Sequence, residues 1–170
     1  LMLRRYKNFT AIDTHTVHEK EVIEQRIVDT NKIENFVKAF AKSYYSWSNT
    51  QESIDARTAA INNYLTKSLQ DLNVDTVRQD IPTGSTVTDV KIWDIEQAGT
   101  DDFTVVYSVD QTVTNGETSI GYTSAYMVVV HVDVSGNMVI TQNPTISSTP
   151  TKSSYEPKTK ESCLLYTSPS

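Results

Sequence analysis

The chain has 170 residues, a formal net charge of −6 and a single cysteine, Cys163. This length predicts one domain of ordinary size with room for tails, and a hydrophobic fraction of 38% is too high for a disordered chain. The acidic balance disfavours sequence-independent binding to nucleic acid, and one cysteine excludes both an intrachain disulfide and a multi-cysteine metal site.

The first part of the chain, residues 1–29, carries charged residues and widely spaced apolar ones. We interpret it as a linker or helical extension, because its apolar residues are too few to form a core. His15 and His18 are three residues apart and could touch a metal ion, but no carboxylate or thiol pattern completes a site. We therefore expect both histidines to be solvated.

A helical pattern follows, predicted from Asn31 to Trp47. Asn31 and Glu34 have the spacing of a capping box, so the helix should start at Asn31 or continue from an earlier helix. Apolar residues recur at helical spacing and predict one buried face. These residues are Ile33, Phe36, Val37, Phe40, Ala41 and Tyr44.

A second helix is predicted after the segment "SNTQES", and the two form a helical hairpin. Its N-terminal cap is either Ser48, paired with Gln51, or Thr50, paired with Ser53. Its buried side is expected to hold Ile54, Ile61, Tyr64, Leu65 and Leu69.

From about Asp71 the apolar period falls to two, which predicts strands. The predicted strands cover residues 87–96, 103–113, 118–134 and 138–141. Asn115-Gly116 predicts a tight hairpin turn between the second and third strands. The third strand is long, so we expect it to bend or carry a bulge near Gly121, and Pro144 should end the fourth.

These boundaries place one domain at residues 30–145. The stretch 146–162 is rich in Ser, Thr, Pro and Lys, has no periodicity, and is interpreted as an interdomain linker. Residues 163–170, "CLLYTSPS", change abruptly to an apolar group and resemble translated sequencing-adapter read-through. If that interpretation holds, Cys163 packs against nothing.

Residues suited to catalysis are scarce. The chain has no Gly-rich phosphate loop, paired-histidine zinc helix or nucleophile elbow, so we predict no catalytic, cofactor-binding or metal-binding residues and no enzymatic activity. His131 is the one candidate general base, because it interrupts the apolar run of the third strand and could face a cavity under the helices. A solvent-facing or hydrogen-bonded structural histidine is the favoured interpretation.

Six aromatic residues could be taken for a ligand-stacking platform, but their spacing favours core packing. They are Phe36, Phe40, Tyr44, Tyr45, Trp47 and Trp93.

Two helices followed by a strongly bent antiparallel sheet resemble the nuclear transport factor 2-like fold, an α+β cone that isomerases, dehydratases and binding modules share. Within that fold, three segments resemble the conjugative transposon protein TcpC family, over roughly residues 30 to 150. The segments are "FVKAFAKSYYSW", "NNYLTKSLQDLNVDTVRQDIPTGSTVTDVKIW" and "YSVDQTV".

The resemblance implies a single-pass membrane protein with two such cones outside the cell membrane, of which this fragment would hold the first. The spanning helix and the second cone would both be absent from the fragment. Family members are similar in fold to the inner-membrane scaffold subunit of VirB-type type IV secretion systems. The resemblance further implies a homo-oligomer that contacts other conjugation-channel proteins, with no catalytic residues, no cofactor and no direct binding to nucleic acid.

Three functions are therefore considered. The first is a non-enzymatic structural scaffold in a Gram-positive conjugation apparatus that transfers a conjugative transposon or plasmid. The second is a small-molecule-binding or isomerase/dehydratase-type cone that uses His131, and the third is a secreted adhesive or immune-evasion module. An enzyme needs an open cavity of several hundred Å³ with convergent polar groups, whereas a scaffold can fill its cone with side chains.

Overall fold

Helices come first along the chain and strands follow, as predicted. The computed structural model describes residues 30–74, 77 and 82–157. Helix α1 covers residues 30–44 of this part. The remaining elements are α2 (Gln51–Ile61), α3 (Lys67–Leu72), β1 (Thr83–Gln97), β2 (Asp102–Asn115), β3 (Thr118–Val132) and β4 (Met138–Ile146).

Helix α1 supplies the apolar rib of the core. Ile33, Val37, Phe40 and Ala41 are all 0% exposed, which confirms the predicted buried face. Burial of each of the three larger side chains, Ile33, Val37 and Phe40, contributes roughly 1.5–3 kcal/mol. Of the two predicted starts, the cap at Asn31 is wrong, because residue 30 is already helical and Asn31 lies inside the helix. The alternative, continuation from an earlier helix, concerns residues outside the described part of the chain and stays a prediction.

The predicted end of α1 at Trp47 is also wrong. The helical residues stop at 44, and the last helical hydrogen bond joins the Tyr45 N–H to the Ala41 carbonyl at 3.1 Å. Trp47 instead pairs with Ser85 of β1 through two backbone hydrogen bonds of 3.0 and 2.8 Å. The backbone of Trp47 thus bonds to the edge of the sheet instead of continuing the helix.

The predicted second helix is two helices. Thr50 caps α2 by accepting from the Ser53 N–H, as one of the two expected caps requires. After Ile61 the chain turns, because the backbone beside Leu65 bonds to β4: the Ile140 N–H donates to the Tyr64 carbonyl at 2.7 Å. A new cap at Thr66, which accepts from the Leu69 N–H, starts α3.

The four strands form one antiparallel sheet in the order β1-β2-β3-β4. The tight turn after Asn115 is confirmed, with Asn115 paired to Thr118 and Gly116 at φ 66°. Only Gly116 of this turn has a positive φ, which is the pattern of a type II′ hairpin turn. The fourth strand follows a second turn, in which Gly136 has φ 87°.

The bulges lie in the edge strands. In β1 the register shifts once between Val87 and Asp89 and again between Ile92 and Asp94. Gly121 pairs with Thr112 in unbroken register, so a bulge near Gly121 is wrong, whereas the alternative of a bend there stays a prediction. Each extra residue in β1 reverses the alternation of side chains between the two faces of the sheet.

The second bulge explains why Trp93 is not a core residue. It is the unpaired residue of that bulge, it is 43% exposed, and its indole N–H donates to the Ser108 hydroxyl at 2.8 Å. The expectation that Trp93 packs in the core is therefore wrong. The shift returns Ile95 to the side of the core, against which both it and Ile92 pack.

Pro144 does not end β4, which continues to Ile146. The β3–β4 register shifts between Met127 and Val129, opposite the segment that contains Pro144. Proline is tolerated there because β4 is an edge strand, and a bulged residue needs no ladder hydrogen bond.

The inner face of the sheet, defined here as the face toward the helices, completes the core. It contributes Phe103, Val105, Tyr107, Val109, Val128, Val130 and Ile140. Residues 147–157 form neither helix nor strand. The segment 1–29 with His15 and His18, and the segment 163–170 with Cys163, lie outside the described residues. Within the described part of the chain, no helix is long and apolar enough to cross a membrane.

Phe40 provides the first test of this core. Its ring centroid lies 5.0 Å from that of Tyr44 and 5.9 Å from that of Tyr64. We expect Phe40→Ala to lower the free energy of unfolding by about 3–5 kcal/mol, because it removes buried surface and leaves a cavity. Denaturant titration followed by circular dichroism measures the change.

Tyr122, which is 50% exposed, provides the matched control. Tyr122→Ala should change the free energy of unfolding by no more than about 0.5 kcal/mol. Equal changes in the free energy of unfolding for the two substitutions would show that Phe40 of α1 is not part of the core.

Candidate functional site

His131, the candidate general base, does not face the space under the helices. Val128 and Val130 of β3 point into the core, so the two-residue period turns His131 to the outer face of the sheet. Its Nδ1 lies 2.9 Å from Oδ1 of Asp102, and the two side chains are 41% and 46% exposed. The hypothesis of a buried base in the cone is therefore wrong, and His131 belongs to a surface pair.

The space between the helices and the sheet is not filled completely. A cavity of about 270 Å³ remains beside the C-terminal end of α1. Its walls are mainly aromatic, with two nitrogen-bearing polar side chains among them. The lining residues are Tyr44, Tyr45, Trp47, Arg57, Val77, Gln111 and Tyr126.

Two of the lining tyrosines, Tyr45 and Tyr126, contact the buried Tyr107 behind the cavity wall. The Tyr45 ring stacks on Tyr126 with centroids 4.7 Å apart, and its hydroxyl lies 2.9 Å from the hydroxyl of Tyr107. Burial raises the pKa of both Tyr45 and Tyr107 above the ordinary value of 10.0. Both hydroxyls therefore stay protonated at neutral pH and do not act as bases.

Polar side chains from the sheet hold the end of α1. The last carbonyls of a helix lack partners within the helix. The Tyr45 carbonyl accepts from the Ser85 hydroxyl at 2.7 Å and from the Gln111 amide at 3.3 Å. Gln111 also donates to the Ser85 hydroxyl at 2.8 Å, so one network joins α1 to β1 and β2.

Arg57 of α2 holds the neighbouring carbonyl. It is 6% exposed, its Nε donates to the Tyr44 carbonyl at 2.9 Å, and its guanidinium carbon lies 4.8 Å from the centroid of the Tyr44 ring. A cation suits the negative end of a helix dipole and the face of an aromatic ring. Burial nevertheless lowers the pKa of Arg57.

Arg57 has no acidic partner among the residues that the structure describes: no carboxylate oxygen lies within ion-pair distance, and its terminal nitrogens have no acceptor there. The sequence analysis missed this residue. A signal existed, since position 57 falls three residues after Ile54 and four before Ile61, on the apolar side of α2.

Metal chemistry finds no support in the described ranges, where no three His, Cys, Asp or Glu side chains come together as metal ligands. The chemical groups of the site are suited to binding a ligand. Its polar groups are donors and acceptors of hydrogen bonds, and the one charged residue among its described lining residues is a cation.

The helices, the four-strand meander and the cavity beneath α1 define a nuclear transport factor 2-like domain. The model of the family described as conjugative transposon protein TcpC matches residues 36–168, well over half of the sequence, and the chain therefore belongs to that family. A comparison with curated proteins finds no match.

Solved structures confirm the fold. An Ntf2-like protein involved in plasmid conjugation matches with a TM-score of 0.62 and 17% identity, over 75% of this chain and 52% of that one. The chain thus spans about half the length of that protein. The Ntf2-like potential transfer protein TraM, from the Gram-positive conjugative plasmid pIP501, has a TM-score of 0.50 and 15% identity, covering 72% of this chain and 99% of that one.

A third match is an IcmL-like type IV secretion system protein from Legionella pneumophila, with a TM-score of 0.50 and 9% identity. It covers 72% of this chain and 96% of that one. At such identities these likenesses show the fold and not the activity.

The hydroxyl pair of Tyr45 and Tyr107 provides a second test. Tyr45→Phe leaves the buried Tyr107 hydroxyl without its partner, so we expect the free energy of unfolding to fall by about 1–3 kcal/mol. The double variant Tyr45→Phe/Tyr107→Phe removes both hydroxyls and should recover most of that loss. Denaturant titration of the four proteins in the cycle measures the coupling, and additive losses would contradict the pair.

Alkaline pH provides a third test of the same pair. The unfolded chain releases these two protons near pH 10, whereas the folded chain retains them because burial raises both pKa values. The unfolded state then binds fewer protons, so stability should fall as the pH rises above about 10.

The double phenylalanine variant should lose less stability than the wild type between about pH 9 and pH 11. Denaturant titrations across that range measure the difference. Identical pH dependence of the two proteins would show that these hydroxyls ionise as freely in the fold as in the unfolded chain.

Proposed function

We propose that this chain is a structural, non-enzymatic part of a Gram-positive conjugation apparatus. The observation that carries the proposal is the match of the TcpC family model to residues 36–168. In this proposal the domain serves as a scaffold that supports transfer of a conjugative transposon or plasmid.

The packing of the domain supports a scaffold rather than an enzyme. The rib formed by Ile33, Val37 and Phe40 packs without exposure under the sheet. Burial raises the pKa of Tyr44 and Tyr45 in the remaining cavity, and no described carboxylate or histidine lines it. His131, on which an isomerase or dehydratase would depend, lies on the opposite face. Proton transfer would need a positioned group of suitable pKa within hydrogen-bond reach of a substrate.

The proposal also includes a place in the cell and a set of partners. The domain, residues 30–145, would lie on the extracytoplasmic side of the cell membrane in a single-pass parent protein. The segment 1–29 would lead from the membrane, and 146–162 would lead to a second cone. The partners would be further copies of the same protein and other channel proteins. Direct binding to nucleic acid is not expected at a net charge of −6.

A mating assay tests the proposed role. Deletion of the parent gene should reduce the frequency of element transfer by at least about 100-fold, because a missing scaffold component prevents assembly of the channel. Expression of the wild-type gene in trans should restore transfer. Unchanged transfer after deletion would contradict the proposal.

Two complementing variants separate a scaffold from an enzyme. His131→Ala at normal abundance should restore transfer fully, since a scaffold needs no base on that face. Phe40→Ala should lower the abundance of the protein, and where it does so the variant should fail to restore transfer. Loss of transfer with His131→Ala at wild-type abundance would favour a chemical role for His131.

A further inference from the structure

The cavity beside α1 contains a buried cation whose charge no described residue balances. Arg57 is 6% exposed, and its Nε–H donates a hydrogen bond to the Tyr44 carbonyl. In the described part of the chain, the two terminal nitrogens of the guanidinium have no acceptor, and no carboxylate forms an ion pair with it. An arginine remains charged under these conditions, and a buried charge without a partner is costly.

The hydrogen bond at Nε determines which edge of the Arg57 guanidinium stays available to a ligand. Because the Nε side is held by the Tyr44 carbonyl, the pair of terminal N–H groups forms the remaining fork of the guanidinium. Two parallel N–H donors match the two oxygens of a carboxylate. A phosphate would favour several cations, and among the described residues that line the cavity Arg57 alone is charged.

The rest of the lining is suited to an apolar body. Tyr44, Tyr45, Trp47 and Tyr126 present ring surfaces, and Val77 adds an aliphatic one. A volume of about 270 Å³ lies just below the range of roughly 300–1,000 Å³ typical of ligand pockets, so it suits a ligand no larger than an N-acetylated aromatic amino acid.

Gln111 adds a second polar feature. Both hydrogens of its amide are used, one toward the Tyr45 carbonyl and one toward the Ser85 hydroxyl. Its side-chain oxygen is buried and accepts no hydrogen bond from any described residue. A ligand with an N–H group beside its carboxylate would offer donors and acceptors that complement both Gln111 and Arg57.

A shallow depression adjoins the cavity, and we infer that a ligand enters through it. Arg57 and Trp47 line both spaces, and the depression has a volume of about 450 Å³. Its other lining residues are Lys42, Ser43, Ser46, Ser48, Ser53, Ala56, Ala60 and Ser85. Hydroxyl groups and a second cation on this route would favour an approaching anion.

We propose that this cavity binds a small organic acid, whose carboxylate pairs with the terminal nitrogens of Arg57 and whose apolar ring-sized body lies among the tyrosines. This ligand site goes beyond the proposed scaffold role and does not depend on it. A domain can carry such a site whether or not it supports conjugation.

Binding of two matched probes to the purified chain tests the proposal. N-acetyl-phenylalanine has the carboxylate, the N–H group and the ring, whereas N-acetyl-phenylalanine amide lacks only the charge. Ligand-observed NMR and quenching of Trp47 fluorescence should show the acid binding about 10- to 100-fold more tightly than the amide, as expected for a hydrogen-bonded ion pair. Failure of the acid to bind, or equal binding of the two probes, would overturn the proposal.

Two variants assign the effect to Arg57. Arg57→Met keeps a long apolar side chain and should reduce the affinity for the acid about 10- to 100-fold while the weak affinity for the amide stays unchanged. Arg57→Lys keeps the charge without the fork and should give an intermediate affinity. If folded Arg57→Met binds the acid as tightly as the wild-type protein does, the assignment to Arg57 is contradicted. If neither variant folds, the comparison of acid with amide on the wild-type protein still decides the proposal.

Two further probes distinguish a small organic acid from other ligands of this cavity. Inorganic phosphate at the same concentration should not displace the acid, and displacement by phosphate at comparable affinity would overturn the choice of a carboxylate. A six-residue peptide that ends in phenylalanine should bind no more tightly than the free acid. Binding more than about tenfold tighter would indicate a protein segment and overturn the small-ligand site.

Discussion

The structure depends on how two backbone carbonyls at the end of α1 are satisfied after burial. A helix leaves its final carbonyls without internal partners, and those of Tyr44 and Tyr45 lie where two helices meet the sheet. Arg57 supplies the donor for the first carbonyl, whereas Ser85 and Gln111 supply donors for the second. These bonds fix the position of α2 and of two strands relative to α1. They also explain why the helix stops at residue 44, since further turns would bury additional carbonyls that the sheet edge satisfies more simply by pairing with Trp47.

The cavity is a consequence of the same arrangement. Arg57, Ser85 and Gln111 reach the end of α1 from three different elements, and polar side chains that must hold a fixed geometry cannot also fill the space between them. Farther along α1 the contacts are purely apolar, and Ile33, Val37 and Phe40 pack without exposure. The packed half of the cone therefore provides stability, whereas the polar half leaves an unfilled cavity.

The sequence predicts those features that depend on neighbours along the chain. The spacing of Ile33, Val37 and Phe40 identifies the buried face of α1, and Gly116 marks the hairpin turn, because both signals arise within a few residues. Features that depend on distant partners could not be predicted. The bulge at Trp93 depends on registration with β2, and the exposure of His131 depends on which face of β3 the helices cover. The role of Arg57 depends on a carbonyl thirteen residues earlier in the chain.

Arginine at position 57 combines a role in the fold with the proposed role in the cavity. The Nε–H satisfies the Tyr44 carbonyl, so an apolar replacement would leave that carbonyl buried and unpaired. A lysine could offer a charge or a single contact, but it has no rigid fork and could not hold the carbonyl while presenting two parallel donors to the cavity. The capping role alone calls for one donor and no net charge, and an uncharged donor would avoid the desolvation that lowers the pKa of Arg57. The helix end and the Tyr44 ring stabilise this charge in part. No described carboxylate neutralises it, and the cavity beside it is where an anion can do so.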